Sequence, residues 1–376
     1  MSGRILGLIT AAGLSSRMGA FKPLLDLNGE PLIARTVESM LDAGVDQIVL
    51  ITGRNGDAVE EALRAYPQVL RVHNPDFATT AMFDSIKLGL KKLQTLGEYD
   101  ALLVMPADMP AIRPETIRRL VRCWENRKPD VLFPVYRKEQ GHPPVIHEKN
   151  VEALLQDPGT EGLRGAFQRV CLHTETMEVT DPAVLMDADY REDYEALVSY
   201  WPKRYYPGLQ ECEAFYEMAQ TPKKVQEHSL AVRKKALELT DALLKQGIKI
   251  NRNLVESVAL LHDIKRTESN HAKAGADFFR ELGLFEIADP IEIHMDWPEK
   301  RIIRPEVSSV LYLADKLVSG DQSVSLEERF LEKERMFGDN PEALRNIRRR
   351  KETALAIKAS LEATGIQMEE GRRVDE

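Results

Sequence analysis

Cysteine is scarce in this chain: three residues, Cys123, Cys171 and Cys212, stand far apart with no CxxC spacing. That argues against a disulfide framework or a thiolate-rich zinc site, and it fits a reducing compartment. No apolar stretch approaches the roughly 20 residues that cross a bilayer. Met1–Arg4 leads directly into an apolar strand pattern rather than a secretion signal. The expected location is the cytoplasm, with no membrane partner. Positive charge is not in excess: 51 Lys and Arg against 60 Asp and Glu give a net charge of −9. That balance offers no general attraction to nucleic acid and suits small anionic substrates held by particular side chains. Two phosphate-binding spacings are also missing, GxxxxGK followed by Ser or Thr, and GxGxxG.

What the chain has is two unlike halves. Its 376 residues exceed one average domain, and 43% hydrophobic with 30% charged residues is ordinary for globular protein. Residues 4 to about 195 alternate short apolar runs with helical patterns. Ile5–Ile9, Gln47–Ile51, Val69–Val72, Ala101–Met105 and Asp130–Val135 read as strands, and segments near 31–43, 57–66, 81–94 and 114–126 read as helices. This βαβα order predicts an α/β fold with a mostly parallel sheet covered by helices. Ligands of such sheets sit at the carboxyl ends of the strands.

From about residue 210 the strand pattern stops. Helical periodicity or charge patterning runs over 222–246, 252–264, 270–283, 305–319, 325–337 and 341–364. Tyr200–Gly208, with two prolines and a glycine, reads as a join. The expected division is a first domain at 1–199, a linker at 200–221 and a helical domain at 222–376.

The loop Thr10-Ala11-Ala12-Gly13-Leu14-Ser15-Ser16-Arg17-Met18-Gly19 leaves the first apolar strand, with Lys22 just beyond it. Small residues let backbone N–H groups approach a phosphate chain closely. Arg17 and Lys22 add two positive charges where a triphosphate would lie. Asp108 follows another apolar strand, between Pro106 and Pro110, where a carboxylate can hold Mg²⁺.

These residues resemble the signature of MobA-like nucleotidyltransferases. The resemblance implies a Rossmann-like, mostly parallel sheet of the nucleotidyltransferase type. It also implies nucleotide binding by Ala11, Ala12, Gly13, Arg17, Lys22, Asn74 and Ser85. Arg17 and Lys22 would hold the triphosphate, and Asp108 a Mg²⁺ ion. Met186-Asp187-Ala188-Asp189-Tyr190-Arg191-Glu192-Asp193 resembles the family's terminal acidic segment, which makes Asp189 the second metal ligand and Asp187 the fallback. Gly141-His142-Pro143 resembles a segment on the acceptor side, so His142 is the acceptor candidate. Where relatives carry glycines before the serine, this chain has Ala81, Phe83 and Asp84, whose bulk and charge are expected to narrow the acceptor pocket. Thr-Ala-Ala-Gly resembles the cytidylyl-transferring branch, and the Ala12 methyl would crowd a purine, which favours CTP over GTP.

The second half carries another constellation. Val225, His228, Val232, Leu239 and Leu243 share one helical face; Val255, Ala259 and His262 share another; Leu311, Asp315 and Val318 share a third. Ionisable groups on apolar faces are costly unless something pairs with them. With the His262-Asp263 doublet, the set resembles the H…HD…D pattern of HD-domain metal-dependent phosphohydrolases, over roughly 222–335. The resemblance implies a metal held by His228, His262, Asp263 and Asp315, with Asp263 also catalytic, on an all-α HD domain. Two imidazoles and two carboxylates suit Mn²⁺, Fe²⁺, Co²⁺, Ni²⁺ or Mg²⁺ better than a thiolate zinc site. His271 and His294 match extra histidines that hold a second metal or phosphate in some relatives.

The function expected is bifunctional. It combines Mg²⁺-dependent transfer of a nucleotide to a small phosphorylated or hydroxyl-bearing acceptor, such as a molybdopterin-type cofactor, with metal-dependent phosphate-ester hydrolysis. Alternatives are a nucleotide-sensing protein in which one domain binds without turnover, and an HD phosphohydrolase with an inactive transferase domain.

Overall fold

The computed structural model describes residues 3–12 and 18–368. Its chain divides into two compact units, Met1–Arg204 and Tyr205–Glu376.

In the first unit the main sheet runs in the order Thr174–Glu178, Val131–Tyr136, Val145–His147, Ala101–Pro106, Ile5–Ala11, Gln47–Thr52, Val69–His73. Ile5–Ala11 is central, parallel to both Gln47–Thr52 and Ala101–Pro106. Burial on both faces explains its unbroken apolar run. Gly89 lets the helix Met82–Gln94 lie directly on these strands, because a Cβ there would overlap Leu8 and Ile51. Val145–His147 is antiparallel to Ala101–Pro106 and to Val131–Tyr136, an insertion absent from the sequence reading. The parallel strands ending at Ala11, Thr52, His73 and Pro106 bring their carboxyl ends to one edge of the sheet.

The second unit is helical, with a short ribbon pairing Val318–Ser319 with Gln322–Ser323. Phe215, Val232, Leu260, Phe279 and Tyr312 lie in its buried core. Two features depart from the sequence reading. The segment expected as a linker, 200–221, contains the helix Leu209–Ala219, which buries Cys212 and Phe215 in this core. A further helix, Phe285–Ile293, forms despite Pro290 inside it. The helix Leu326–Met336 is fixed at its start by Ser325 and Glu328: the Glu328 N–H donates to Ser325 Oγ, and the Ser325 N–H donates to Glu328 Oε2. Among the described residues no helix is long and apolar enough to cross a membrane.

Candidate functional sites

Three of the residues proposed for the first site meet at the strand ends. Lys22 opens a short 3₁₀ turn, Lys22–Leu24, and its Nζ lies 2.6 Å from Asp189 Oδ1 and 3.3 Å from Asp108 Oδ2. Burial presses the Lys22 pKa down, but Asp189 and Asp108 outweigh it and the net shift is upward. Asp187 stands nearby; burial raises its pKa, and Asp108, Asp189 and Asp193 raise it further. A divalent cation would relieve such crowding of carboxylates, so the donor set fits Mg²⁺.

The other residues of this site are placed as follows. Ala11 ends the central strand opposite Thr52, and Ala12 is buried within the apolar cluster that holds Leu8, Val49 and Phe83. Gly13 and Arg17 lie outside the described residues. Asn74 donates its N–H to Thr52 O, which seats the loop after Val69–His73 beside the end of the strand Gln47–Thr52. Its side chain is buried and donates to Thr80 Oγ1 at 3.0 Å and to Ser85 Oγ at 2.9 Å. Asn74 and Ser85 thus brace each other. His142 is close enough to Asp108 to feel its charge; burial lowers its pKa, and Asp108 opposes that shift. Its Nδ1 is buried without a hydrogen-bond partner.

The expectation for Phe83 and Asp84 needs correcting. Phe83 turns into the core, and Asp84 Oδ2 accepts the Ala81 N–H at the start of the helix. A side chain that caps its own helix, and one buried beneath it, are not the expected means of narrowing an acceptor pocket.

In the helical unit, His228, His262 and Asp315 lie together, and so do His262, Asp263 and His294. Asp315 Oδ1 stands 3.1 Å from His228 Nε2 and 3.6 Å from His262 Nε2. Asp263 Oδ1 stands 3.2 Å from His271 Nε2 and 3.3 Å from His294 Nε2. Lys316 Nζ, 2.6 Å from Asp315 Oδ2 and 3.0 Å from the His294 carbonyl, holds the outer oxygen of Asp315.

The same device sets the imidazoles. His262 Nδ1 lies 2.9 Å from Ala259 O, His294 Nδ1 2.6 Å from Ile291 O, and His228 Nδ1 2.7 Å from Gly320 O. A carbonyl can only accept, so these bonds assign the proton to Nδ1 and leave an Nε2 lone pair facing the cluster. His262 Nε2, His294 Nε2 and Asp263 Oδ1 are buried without a hydrogen-bond partner. Helices Arg252–Leu261, Phe285–Ile293 and Val307–Lys316 all bring their carboxyl ends here. Helix carboxyl ends carry partial negative charge and favour cations. Unpaired lone pairs, carboxylates and three such helix ends fit a divalent ion.

The electrostatics agree. Burial opposes ionisation of Asp315, but Lys316, His228 and His262 hold its pKa well below the usual range. Burial likewise opposes ionisation of Asp263, and His262, His271 and His294 outweigh it. For His262, burial lowers the pKa, but Asp263 and Asp315 carry the net shift upward. His294 is shifted down, chiefly by burial.

A cavity of about 300 Å³ opens onto this cluster, lined by His228, Asp263 and Asp315. Lys224, Arg266, Lys316, Arg329, Lys333 and Arg350 also line it. The sequence reading did not select these cations. The available signal was Arg329 and Lys333, four apart on a helix whose Leu326 and Phe330 are buried in the core.

Comparison with known proteins gives one family match in each unit. Residues 7–176 match the family model of the MobA-like NTP transferase domain, and residues 225–320 match that of the HD domain. The chain joins a MobA-like NTP transferase domain to an HD domain. Both are domains of enzymes. Molybdenum cofactor cytidylyltransferase of Escherichia coli K12 is 25% identical over 187 residues, 50% of this chain and 92% of that protein. A probable molybdenum cofactor guanylyltransferase of Thermococcus sibiricus is 26% identical over 155 residues, 40% of this chain and 71% of that protein. Among solved structures, a nucleotidyl transferase from Methanothermobacter covers 53% of this chain and 98% of its own, at 25% identity and a TM-score of 0.45.

Proposed function

We propose that the protein is a bifunctional enzyme. Its MobA-like domain transfers a nucleotide, CMP from CTP in preference to GMP from GTP, to a phosphate- or hydroxyl-bearing acceptor. Its HD domain hydrolyses a phosphate ester. The meeting of Lys22, Asp108 and Asp189 carries the first half of this reading. A molybdopterin-type acceptor is supported by the names of two relatives, one a cytidylyltransferase and one a guanylyltransferase. The choice of CTP rests on the resemblance of the Thr10–Gly13 run to the cytidylyl-transferring branch.

In the transfer, an acceptor oxygen bonds to the α-phosphorus, the bond from that phosphorus to the bridging oxygen breaks, and pyrophosphate leaves with the electron pair. Such a reaction needs positioning and charge neutralisation more than covalent help. Lys22, held by two carboxylates, would neutralise charge on the leaving pyrophosphate together with Arg17 from the preceding loop. Asp108 and Asp189 would hold Mg²⁺, which when bound supplies charge neutralisation between nucleotide and acceptor. His142, with Nδ1 unpaired and Asp108 close by, is assigned to the acceptor.

The hydrolytic half rests on the imidazole–carboxylate cluster. His228, His262, Asp263 and Asp315 would hold a divalent ion, with His271 and His294 able to extend the set. Such an ion supplies Lewis acidity toward a phosphoryl oxygen and toward water. The backbone carbonyls keep the Nε2 atoms aimed inward, and Lys316 keeps Asp315 in place. Water's oxygen bonds to phosphorus, the ester P–O bond breaks, and the departing oxygen takes the electron pair and a proton.

The test of the first half is calorimetry with CTP, GTP, ATP and UTP, each with Mg²⁺, on wild type and Asp108→Asn. Selective CTP binding weakened by the substitution supports transfer. Absence of binding by every triphosphate overturns it. CTP binding without pyrophosphate release on any acceptor favours the sensing alternative.

A further inference from the structure

We infer that the HD site takes a substrate with two or more linked phosphates, one at the imidazole–carboxylate cluster and the next held by Arg329 and Lys333. The inference rests on the hydrolytic reading of this cluster and replaces the ester bond there with the phosphoanhydride P–O bond between two linked phosphates. Its starting point is the mismatch of charge in the cavity. Of the six lining cations Lys224 is exposed to solvent, and three others are occupied by the protein. Lys316 is paired with Asp315, Arg350 binds Asp296 through two nitrogens, and Arg266 lies 3.6 Å from Asp263 Oδ1 and bonds His271 Nε2.

Arg329 and Lys333 are different. Arg329 donates from one terminal nitrogen to Ser319 Oγ at 2.9 Å, while its Nε is buried with no partner. Lys333 is half-buried, and its ammonium group has no hydrogen bond or ion pair among the described residues. Burial lowers the Lys333 pKa, and the positive charges of Arg329 and Arg266 add to that shift. Two cations at i and i+4 repel each other on an isolated helix. Here they are held side by side on a well-capped helix, facing a cavity that also touches the ligand cluster.

A single phosphate at the cluster does not engage that pair, whereas a linked second phosphate extends along the cavity that both residues line. The site also suits the departing group. Water's oxygen bonds to the phosphorus at the cluster, the bridging P–O bond breaks, and the electron pair leaves on the distal phosphate. The two water protons end on the two phosphate products. Arg329 and Lys333 meet the charge that develops on the leaving oxygen.

The test uses the full chain loaded with Mn²⁺, and calorimetry with inorganic pyrophosphate and with inorganic phosphate, metal being in excess. The variants are Arg329→Gln and Lys333→Gln. Wild type is expected to bind pyrophosphate about tenfold or more tightly than phosphate, the scale of a charge-assisted contact. Each substitution should remove most of that preference while Mn²⁺ stoichiometry stays unchanged, which shows that the variant has folded. Pyrophosphate held by the transferase domain is common to all three proteins, so the effect is read from their difference. Preference that survives both substitutions, or is absent from wild type, overturns the inference. Failure of the hydrolytic reading looks different: Mn²⁺ uptake in wild type would then be no greater than in Asp315→Asn.

Discussion

At the transferase site a lysine with 11% of its side chain exposed spans two carboxylates that are 16% and 42% exposed. At the HD cluster, His262 and His294 are fully buried and Asp263 is 6% exposed, yet two Nε2 atoms and a carboxylate oxygen find no hydrogen-bond partner. The first set is bridged by its own lysine and is the more exposed of the two, as suits a site filled and emptied at every turnover. The second is enclosed and incomplete, as suits a resident ion. A third buried set pairs a carboxylate with protein donors alone. Asp181 accepts from the Arg113 N–H, Thr116 Oγ1 and the Ala183 N–H, and its Oδ2 lies 3.3 Å from Arg113 Nε.

The comparison can be broken in several ways, and the largest expected effect is at that third set. Asp181→Ala leaves the Arg113 guanidinium buried without its carboxylate, at a cost of about 3–5 kcal/mol. Denaturant unfolding should register it whether or not metal is present. Asp108→Asn should do the reverse: nucleotidyl transfer falls about 100-fold or more, while the melting temperature hardly moves.

Metal removal should separate the two sites next. Mn²⁺ at a hundred times its Kd should stabilise the helical unit by about 2.7 kcal/mol. That gain, read as a shift in melting temperature, should vanish in Asp315→Asn and persist in Asp108→Asn.

The smallest effect concerns acid. The Asp130 carboxylate accepts the His173 N–H at 2.9 Å and lies 2.8 Å from Lys149 Nζ. Burial opposes its ionisation, but Lys149 and His173 hold the pKa down at about 2, against 3.8 ordinarily. A depressed carboxylate pKa adds stability that is fully present above the unfolded value and is lost as pH falls through the folded one. Wild type should therefore lose its advantage over Asp130→Asn between about pH 4 and pH 2. After solvent screening the difference amounts to about 1 kcal/mol, measurable by denaturant unfolding at each pH.

How much was legible in the sequence follows from what each residue does locally. Ile5–Ala11 and Ala101–Pro106 are buried almost throughout, so their apolar runs announce them. Thr174–Glu178 is polar and largely uncovered, and Val145–His147 is three residues long, so neither carries a periodic signal. Pro290 masks the helix Phe285–Ile293, whose other residues complete the turn. The HD set was visible because ionisable residues stood on otherwise apolar faces. What pattern could not show is the set of carbonyl bonds that fix the three imidazoles, since these depend on where each helix ends. Nor could it show that Asp84 serves its own helix or that Asn74 is bonded to Ser85. The sequence pattern does not single out Arg329 and Lys333; only the cavity gives them a role.

The most direct test of two separate sites is a calorimetric titration of CTP with Mg²⁺ into wild type, Asp108→Asn and Asp315→Asn. The account predicts binding in wild type and in Asp315→Asn, and loss or strong weakening in Asp108→Asn alone. Equal loss in both variants, or none in either, would contradict it.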